Sequence, residues 1–425
     1  MLLVYAHIIT PRLQYICHFI FNELMGLAHE LTTDEIIFNN YEGVKINYSL
    51  QSMGTSYKLE AVNLLFENSI TTQQTDFFFY NSNMAIFKTS NGQFTFDIFA
   101  ASFYLLSRYE EYLPHKNDKY GRYAHENSLA FKKKFLHLPL INIWVNDFII
   151  SLQMHYPALK PKLPSFQFQP TYDIDMAFSY KHKGLLRNIG GFLRQPSAKR
   201  LKVLLGRQQD PFDCFDWLQQ KHVTNNLAPI YFFLVAEKNG TYDKNILPLK
   251  PAMQELIKKL ALKYAIGIHP SWQSGDNKQL LVQEKKLLEQ ISGQPIILSR
   301  QHYIRFNLPD GYQRLTETCI TADYSMGYGS TNGFRASVAS SFYWYNLQTE
   351  QTTLLRIHPF CFMDTNSLYH QHFTPAQALI EILHYYQECK NINGTFIGIW
   401  HNHTLGTDKL TAGWRKIYEQ FIGRL

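Results

Sequence analysis

Along the second half of the chain, apolar runs of strand length alternate with stretches whose apolar positions fall at helical spacing. Pro229-Ile230-Tyr231-Phe232-Phe233-Leu234-Val235 reads as one strand, ending at Ala236. Others end at Asp173, His269, Arg300, near Asp323, at His358 and at His401. Helices are expected between them, around Met253 to Lys263 and Gln279 to Ile291, and most clearly from Thr374 to Tyr386. There Thr374 caps the first turn, Pro375 begins it without losing a needed donor, and Gln377 completes a capping box. Ala376, Leu379, Ile380 and Leu383 are the expected buried stripe of that helix. Repeated strand–helix units favour a parallel sheet or a (β/α) barrel.

The first 160 residues carry a different pattern. Residues 1–9 read as a strand, and a helix follows from Pro11 with Leu13, Ile16, Cys17, Ile20 and Leu24 at helical spacing. Val44-Lys45-Ile46-Asn47-Tyr48 alternates as a strand does, and Phe77–Tyr80 and Met84–Phe87 are further candidates. Asp97 to Tyr112 reads as a helix ending in Ser107-Arg108-Tyr109-Glu110-Glu111, with Asp118 and Arg122 in the loop beyond. These charges are expected to form a solvated, salt-bridged surface. A linker punctuated by Pro157, Pro161, Pro164 and Pro170 then leads on. The fold class expected is α/β: a smaller α/β domain over residues 1–160, then an irregular barrel over 165–425.

Composition narrows the class without naming an activity. At 425 residues the chain exceeds the size of one core, and 45% hydrophobic with 18% charged residues is ordinary for a folded protein. The aromatic content of 15% suits a large core and equally a cleft that stacks on sugar rings. Five scattered cysteines without a C-x-x-C argue against a disulfide framework or zinc knuckle and fit a reducing compartment. Cys319 and Cys361 are expected to be buried and inert. The start of the chain has no basic region ahead of its apolar residues, so it is a poor signal peptide, and no apolar run approaches bilayer-spanning length. The location expected is cytoplasmic, at most peripheral to the inner membrane.

The stretch Lys181 to Arg207 is strongly basic and contains no acid. It reads either as a solvated insertion or as a contact with an anionic lipid surface or a phosphate-bearing carrier. Few aromatics interleave with its charges, which argues against nucleic acid, and no P-loop or G-x-G-x-x-G supports a nucleotide cofactor.

Candidate chemistry stands at the strand ends. In Thr171-Tyr172-Asp173-Ile174-Asp175 the two carboxylates sit one residue apart, so on a strand they face the same way. Such a pair repels unless a divalent metal, an arginine or a histidine joins it. Alone, a D-x-D is a weak motif and reads more readily as a turn or helix cap. His269, Arg300, His302, Asp323, His358, His401 and His403 also fall at or just past strand ends, which in a parallel barrel converge on one rim. Packing alone does not account for so many titratable groups there.

In this order the strand-end residues resemble the polysaccharide deacetylase family, the NodB-homology or carbohydrate esterase family 4 group. Thr171–Asp175 is similar to its first motif, Pro229–Leu234 to its second-strand signature, and Gly267-Ile268-His269-Pro270-Ser271 to its metal-binding histidine motif. Ser299-Arg300-Gln301-His302-Tyr303 resembles R-x-P-Y with His in place of Pro, and Leu355-Arg356-Ile357-His358 resembles L-x-H. Asp323–Tyr328, Gly333-Phe334-Arg335 and Trp400-His401-Asn402 resemble a bacterial branch that carries an uncharacterised N-terminal domain, which residues 1–160 resemble.

The resemblance implies a metal-dependent hydrolase removing N-acetyl groups from an envelope glycan or its precursor. It assigns Asp175 and His269 as ligands of a divalent metal, zinc by ligand type, with cobalt, nickel and manganese as alternatives. It implies Asp173 as general base oriented by Arg300, the metal and the backbone N–H of Tyr303 as oxyanion donors, and His358 as general acid with His401 as competitor. Asp323 is expected to position the rim loop or bind Arg300. Tyr328, Phe334, Tyr343, Trp344 and Trp400 could stack on sugars or pack in the core. Where the family places H-x-x-x-H, the second position here is Gln273. His302, His401 or His403 could complete the site, or the site is weakened or lost. The alternatives are a silent glycan-binding scaffold and a metal-dependent hydrolase of another C–N bond or ester.

Overall fold

The computed structural model describes every residue of the chain except Gln195. Four parallel strands, β1 (Leu2–Tyr5), β2 (His29–Thr32), β3 (Val44–Tyr48) and β4 (Tyr57–Leu59), form a sheet in the order β2-β1-β3-β4. A hairpin of β5 (Phe78–Tyr80) and β6 (Asn83–Ala85) follows. Nine strands then share one sheet: β7 (Gln167–Ile174), β8 (Ile230–Phe233), β9 (Ala265–Ile268), β10 (Leu298–Ser299), β11 (Ala322–Asp323), β12 (Phe342–Asn346), β13 (Gln351–Ile357), β14 (Phe362–Met363) and β15 (Thr395–His401). Their order is β12-β13-β11-β10-β9-β8-β7-β15-β14, and every pairing is parallel except β12 with β13. Because β12 and β14 remain edges, the sheet curls as a half-barrel and does not close. No helix among the described residues is long and apolar enough to cross a membrane.

The helices between these strands include Pro251–Ala261, Lys278–Ser292 and Pro375–Asn391. Thr374 and Gln377 form the expected reciprocal cap. The buried stripe of that helix differs from the expected one. Ala378, Ile382, Tyr385, Tyr386 and Cys389 face inward, while Ala376 and Ile380 are exposed and Leu379 and Leu383 only half-buried. The helix turns to bury its two large rings: Tyr386 packs edge-on against Phe166, Phe396 and Phe421, and Tyr385 against Phe334.

A second correction concerns Ser107–Glu111. The helix Ile98–Leu106 is buried along its whole length and stops six residues short of Tyr112, at a turn where Arg108 takes a left-handed backbone (φ 56°). That turn swings the charges inward. Arg108 bonds both Glu110 and Glu111 at 2.8 Å, and Glu111 takes a two-pronged contact from Arg335 at 2.8 and 2.6 Å. Arg108, Glu111 and Arg335 are all buried. The expected solvated surface is therefore an ion-pair network joining the first 160 residues to the curled sheet. One contiguous hydrophobic cluster likewise runs from Leu2 to Ile422.

Candidate metal centre

β7 and β15 lie side by side in the sheet, with His401 in register with Asp173. On β7, Tyr172 and Ile174 are fully buried. The tyrosine hydroxyl bonds Tyr418 and His222 beneath the sheet. Asp173 emerges on the opposite face, and Asp175 follows just past the strand end. His269, Arg300 and His302 stand just beyond the ends of the neighbouring β9 and β10, so parallel pairing delivers all of them to one rim.

His269 Nε2 lies 3.1 Å from Asp175 Oδ1 and 3.9 Å from Asp173 Oδ2. His302 Nε2 is 3.7 Å and His401 Nε2 3.6 Å from Asp175 Oδ2. The other nitrogen of each ring is held from behind: His269 Nδ1 donates to the Arg300 carbonyl (2.6 Å), His302 Nδ1 pairs with Asp243 (3.0 Å), and His401 Nδ1 with Asp364 (2.6 Å). All three Nε2 atoms are thereby aimed at the carboxylate pair. Asp364 is itself fixed by the His401 N–H and the Thr404 hydroxyl. Ligand atoms of Asp175, His269 and His302 lie within 4.8 Å of one another. Asp175 Oδ1 is buried and accepts no hydrogen bond despite the nearby imidazole. An anionic oxygen left without a donor beside two converging imidazole nitrogens fits a divalent cation.

Arg300 is fully buried. It donates to Asp173 Oδ1 (2.9 Å), Thr171 Oγ1 (2.8 Å) and the Tyr324 carbonyl (3.0 Å), and its guanidinium lies 4.4 Å from the centre of the Phe232 ring. Gly267 makes this stack possible: a Cβ there would come within 2.4 Å of Phe232. Asp323 holds the hydroxyls of Ser299 and Ser325 and so shapes the loop beyond Arg300.

Charge sets the protonation of the site. Burial pushes the Asp175 carboxyl up, but His302, His269 and His401 outweigh it and hold it well below its ordinary value. Burial pushes His302 down, but Asp175 and Asp243 raise it to about 9. His401 is likewise lowered by burial and raised more strongly, to about 9, by Asp364 and Asp175. His403 is lowered to about 4 by burial and by His401.

The structure thus brings together Asp173, Asp175, His269, Arg300, His302 and His401. Tyr303 adjoins them, its ring 4.6 Å from His302 and its backbone left-handed (φ 59°). His358 lies elsewhere. It is bonded to Ser341 (2.8 Å) and stacked on Tyr324 (4.4 Å, 6°), and burial lowers it to about 4. Gln273 is exposed. Tyr328, Phe334, Trp344 and Trp400 are buried in the core, and Tyr343 sits under Arg356. Cys361 is buried as expected, whereas Cys319 is exposed, in a turn that closes the helix Asp310–Glu317.

Sequence reading missed Asp243 and Asp364, which orient two of the histidines, and the rim aromatics Tyr120, Tyr242 and Trp272. Trp272 stacks on Tyr242 (3.8 Å), and Tyr120 reaches Tyr303 (5.5 Å). Arg122, expected on a solvated surface, is instead buried and donates to the Tyr303 carbonyl (2.6 Å) from the first 160 residues. Gly329 leaves room for it, since a Cβ there would meet Arg122 at 2.0 Å.

Residues 2–157 match a family of unknown function, DUF7033. No curated protein matches the chain. Among solved structures, a putative polysaccharide deacetylase from Mycobacterium smegmatis is similar at 14% identity, covering 61% of this chain and 84% of that one, with a TM-score of 0.40. Puue allantoinase is similar at 9% identity over 61% and 83%, with a TM-score of 0.38. A probable polysaccharide deacetylase from Pseudomonas aeruginosa PAO1 is similar at 9% over 61% and 84%, also at 0.38.

Proposed function

We propose that the chain is a metal-dependent hydrolase of a non-peptide C–N bond, and that its reaction is N-deacetylation of an envelope polysaccharide or its precursor. The observation that carries this reading is the unpaired buried oxygen of Asp175 facing the Nε2 atoms of His269 and His302. In this reading His302 supplies the imidazole that Gln273 does not. When bound, a divalent cation, zinc by the chemistry of these donors, supplies an acidified water and an electrophile for the substrate carbonyl.

The chain's own residues do the rest. Asp173, held by Arg300, accepts the proton of the attacking water. The backbone N–H of Tyr303 offers a donor to the developing oxyanion, and Arg122 fixes that peptide through the Tyr303 carbonyl. His401 is the general acid: its proton is retained at neutral pH, and Asp364 fixes its ring, so it can pass that proton to the leaving amine as the C–N bond breaks. His358, lowered and bonded to Ser341, is not assigned this role. The half-exposed rings of Tyr120, Tyr242 and Trp272, with Tyr303, suit stacking on a sugar.

The test is acetate release from N-acetylated glycan oligomers by zinc-loaded protein, alongside bound-metal analysis. Asp173→Asn should keep the metal and lose about 10²–10⁴-fold in rate. His302→Ala should lose the metal as well. Zinc below about a tenth of an equivalent after supplementation would instead indicate a silent glycan-binding scaffold. Full zinc without acetate release across a glycan panel would move the reaction to another C–N bond or an ester.

A further inference from the structure

The basic stretch beyond β7 folds as two helices, Leu185–Arg194 and Ala198–Leu204. A helix on a protein surface ordinarily turns its apolar stripe to the core and its polar side to water. Leu185–Arg194 does the reverse. Arg187 donates to the carbonyls of Lys244 (2.7 Å) and Asn245 (3.3 Å), and Asn188 donates to the Tyr180 carbonyl (3.0 Å). Arg200, from the second helix, donates to the Asn188 carbonyl (3.2 Å). The helix is therefore moored by its polar side. Leu185, Leu186 and Leu193 are left 76%, 87% and 77% exposed, and Ile189 and Leu205 continue the apolar strip.

The stretch of chain that carries this strip has basic residues and no acidic ones. No acidic residue occurs between Asp175 and Asp210, and Arg194, Lys202 and Arg207 are exposed beside the leucines. A second protein surface could cover the leucines, but it has no need of an arm whose own charges are all positive. Outward leucines on an arm whose own charged side chains are all cationic match an interface whose interior is hydrocarbon and whose headgroups carry phosphate. We propose that this arm is a docking surface for an anionic lipid bilayer, with the leucines entering the acyl boundary and the cations contacting headgroup phosphates.

The arm rests on the rim that carries the metal centre. Lys244 and Asn245 directly follow Asp243, the partner of His302, and Lys199 donates to the Thr407 carbonyl (2.8 Å) in the loop beyond His403. Docking would set the mouth of the site toward the membrane. The surface does not depend on the hydrolase reading, because lipid binding is measured without metal or substrate.

The experiment is co-sedimentation of the full chain with vesicles of phosphatidylcholine containing about one third phosphatidylglycerol, against pure phosphatidylcholine. Two variants accompany it: Leu185→Ser/Leu186→Ser/Leu193→Ser, and Arg194→Gln/Lys202→Gln/Arg207→Gln. All six positions are exposed, so unchanged thermal unfolding is expected of both. Binding to the anionic vesicles is expected, weaker by about tenfold or more for each variant and for neutral vesicles. Failure of the native chain to sediment with anionic vesicles would overturn the proposal. So would undiminished binding of the serine variant, or a solution dimer that the serine variant dissociates.

Discussion

At the scale of single residues, a histidine serves as an acid at neutral pH only if something retains its proton beyond the ordinary value near 6.5. Burial lowers the His401 imidazole, and Asp364 with Asp175 raises it by more. The folded pKa is raised to about 9 by Asp364 together with Asp175, and a cation held by Asp175 would offset that second contribution, so the proton leaves as pH rises between the ordinary value and about 9. Turnover by the proposed reaction should therefore fall along that basic limb. Asp364→Asn should move the limb toward lower pH, since the main source of the shift is gone, and kcat/KM measured against pH for both proteins checks this. A limb that stays in place would remove His401 from the acid role. Asp173, Asp175, His269, Arg300, His302 and His401 were legible in the sequence because each stands where an apolar run stops. Asp243 and Asp364 were not, since a lone aspartate in a loop has no spacing that marks it. Its meaning comes only from the imidazole that the fold brings to it.

At the scale of elements, the turn at Arg108 shows how a short change of direction alters what its charges do. A helix carried on to Tyr112 would have left Glu110 and Glu111 on a wetted face. The left-handed residue instead feeds Glu111 between Arg108 and Arg335. Burial raises the Glu111 carboxyl, but the two guanidinium groups outweigh it and bring it to about 2. A depressed carboxylate contributes stability that is complete above its ordinary value near 4.5 and is lost as pH falls through about 2. Glu111→Gln leaves two buried cations underpaired and should cost about 3–5 kcal/mol in urea unfolding at neutral pH. A loss under about 1 kcal/mol would mean that water reaches the network. Long elements with clear caps, such as Pro375–Asn391, were readable from those caps, although the face that this helix buries was not. The two-residue strands β10, β11 and β14 are too short to show any period. β10 and β11 were anticipated only through the polar residues that end them, and β14 not at all.

At the scale of the whole molecule, the family match to residues 2–157 and the proline-rich linker suggest two separable pieces. The side chains connect them closely. Arg12 pairs with Glu350, Glu23 with Arg356, Glu111 with Arg335, Tyr15 with the Tyr343 carbonyl and Asn142 with Ser340. Residues 158–425 expressed alone should therefore expose apolar surface, bind a hydrophobic dye and aggregate. A soluble fragment with one sharp unfolding transition would show that the two parts are energetically independent. The sequence could not reveal this union, because partners hundreds of positions apart leave no local trace.

Arg12 and Glu350 are 338 positions apart. At roughly 5–20 residues per second, the ribosome releases the guanidinium on the order of tens of seconds before its carboxylate exists. During that wait the guanidinium can reach the Leu64 and Ser69 carbonyls and the Phe103 and Tyr109 rings, but not the charge that neutralises it. Birth of this protein thus leaves one interior cation without its counter-charge until Glu350 follows it out of the ribosome, while β1 to β4 beside it have only one another to pair with.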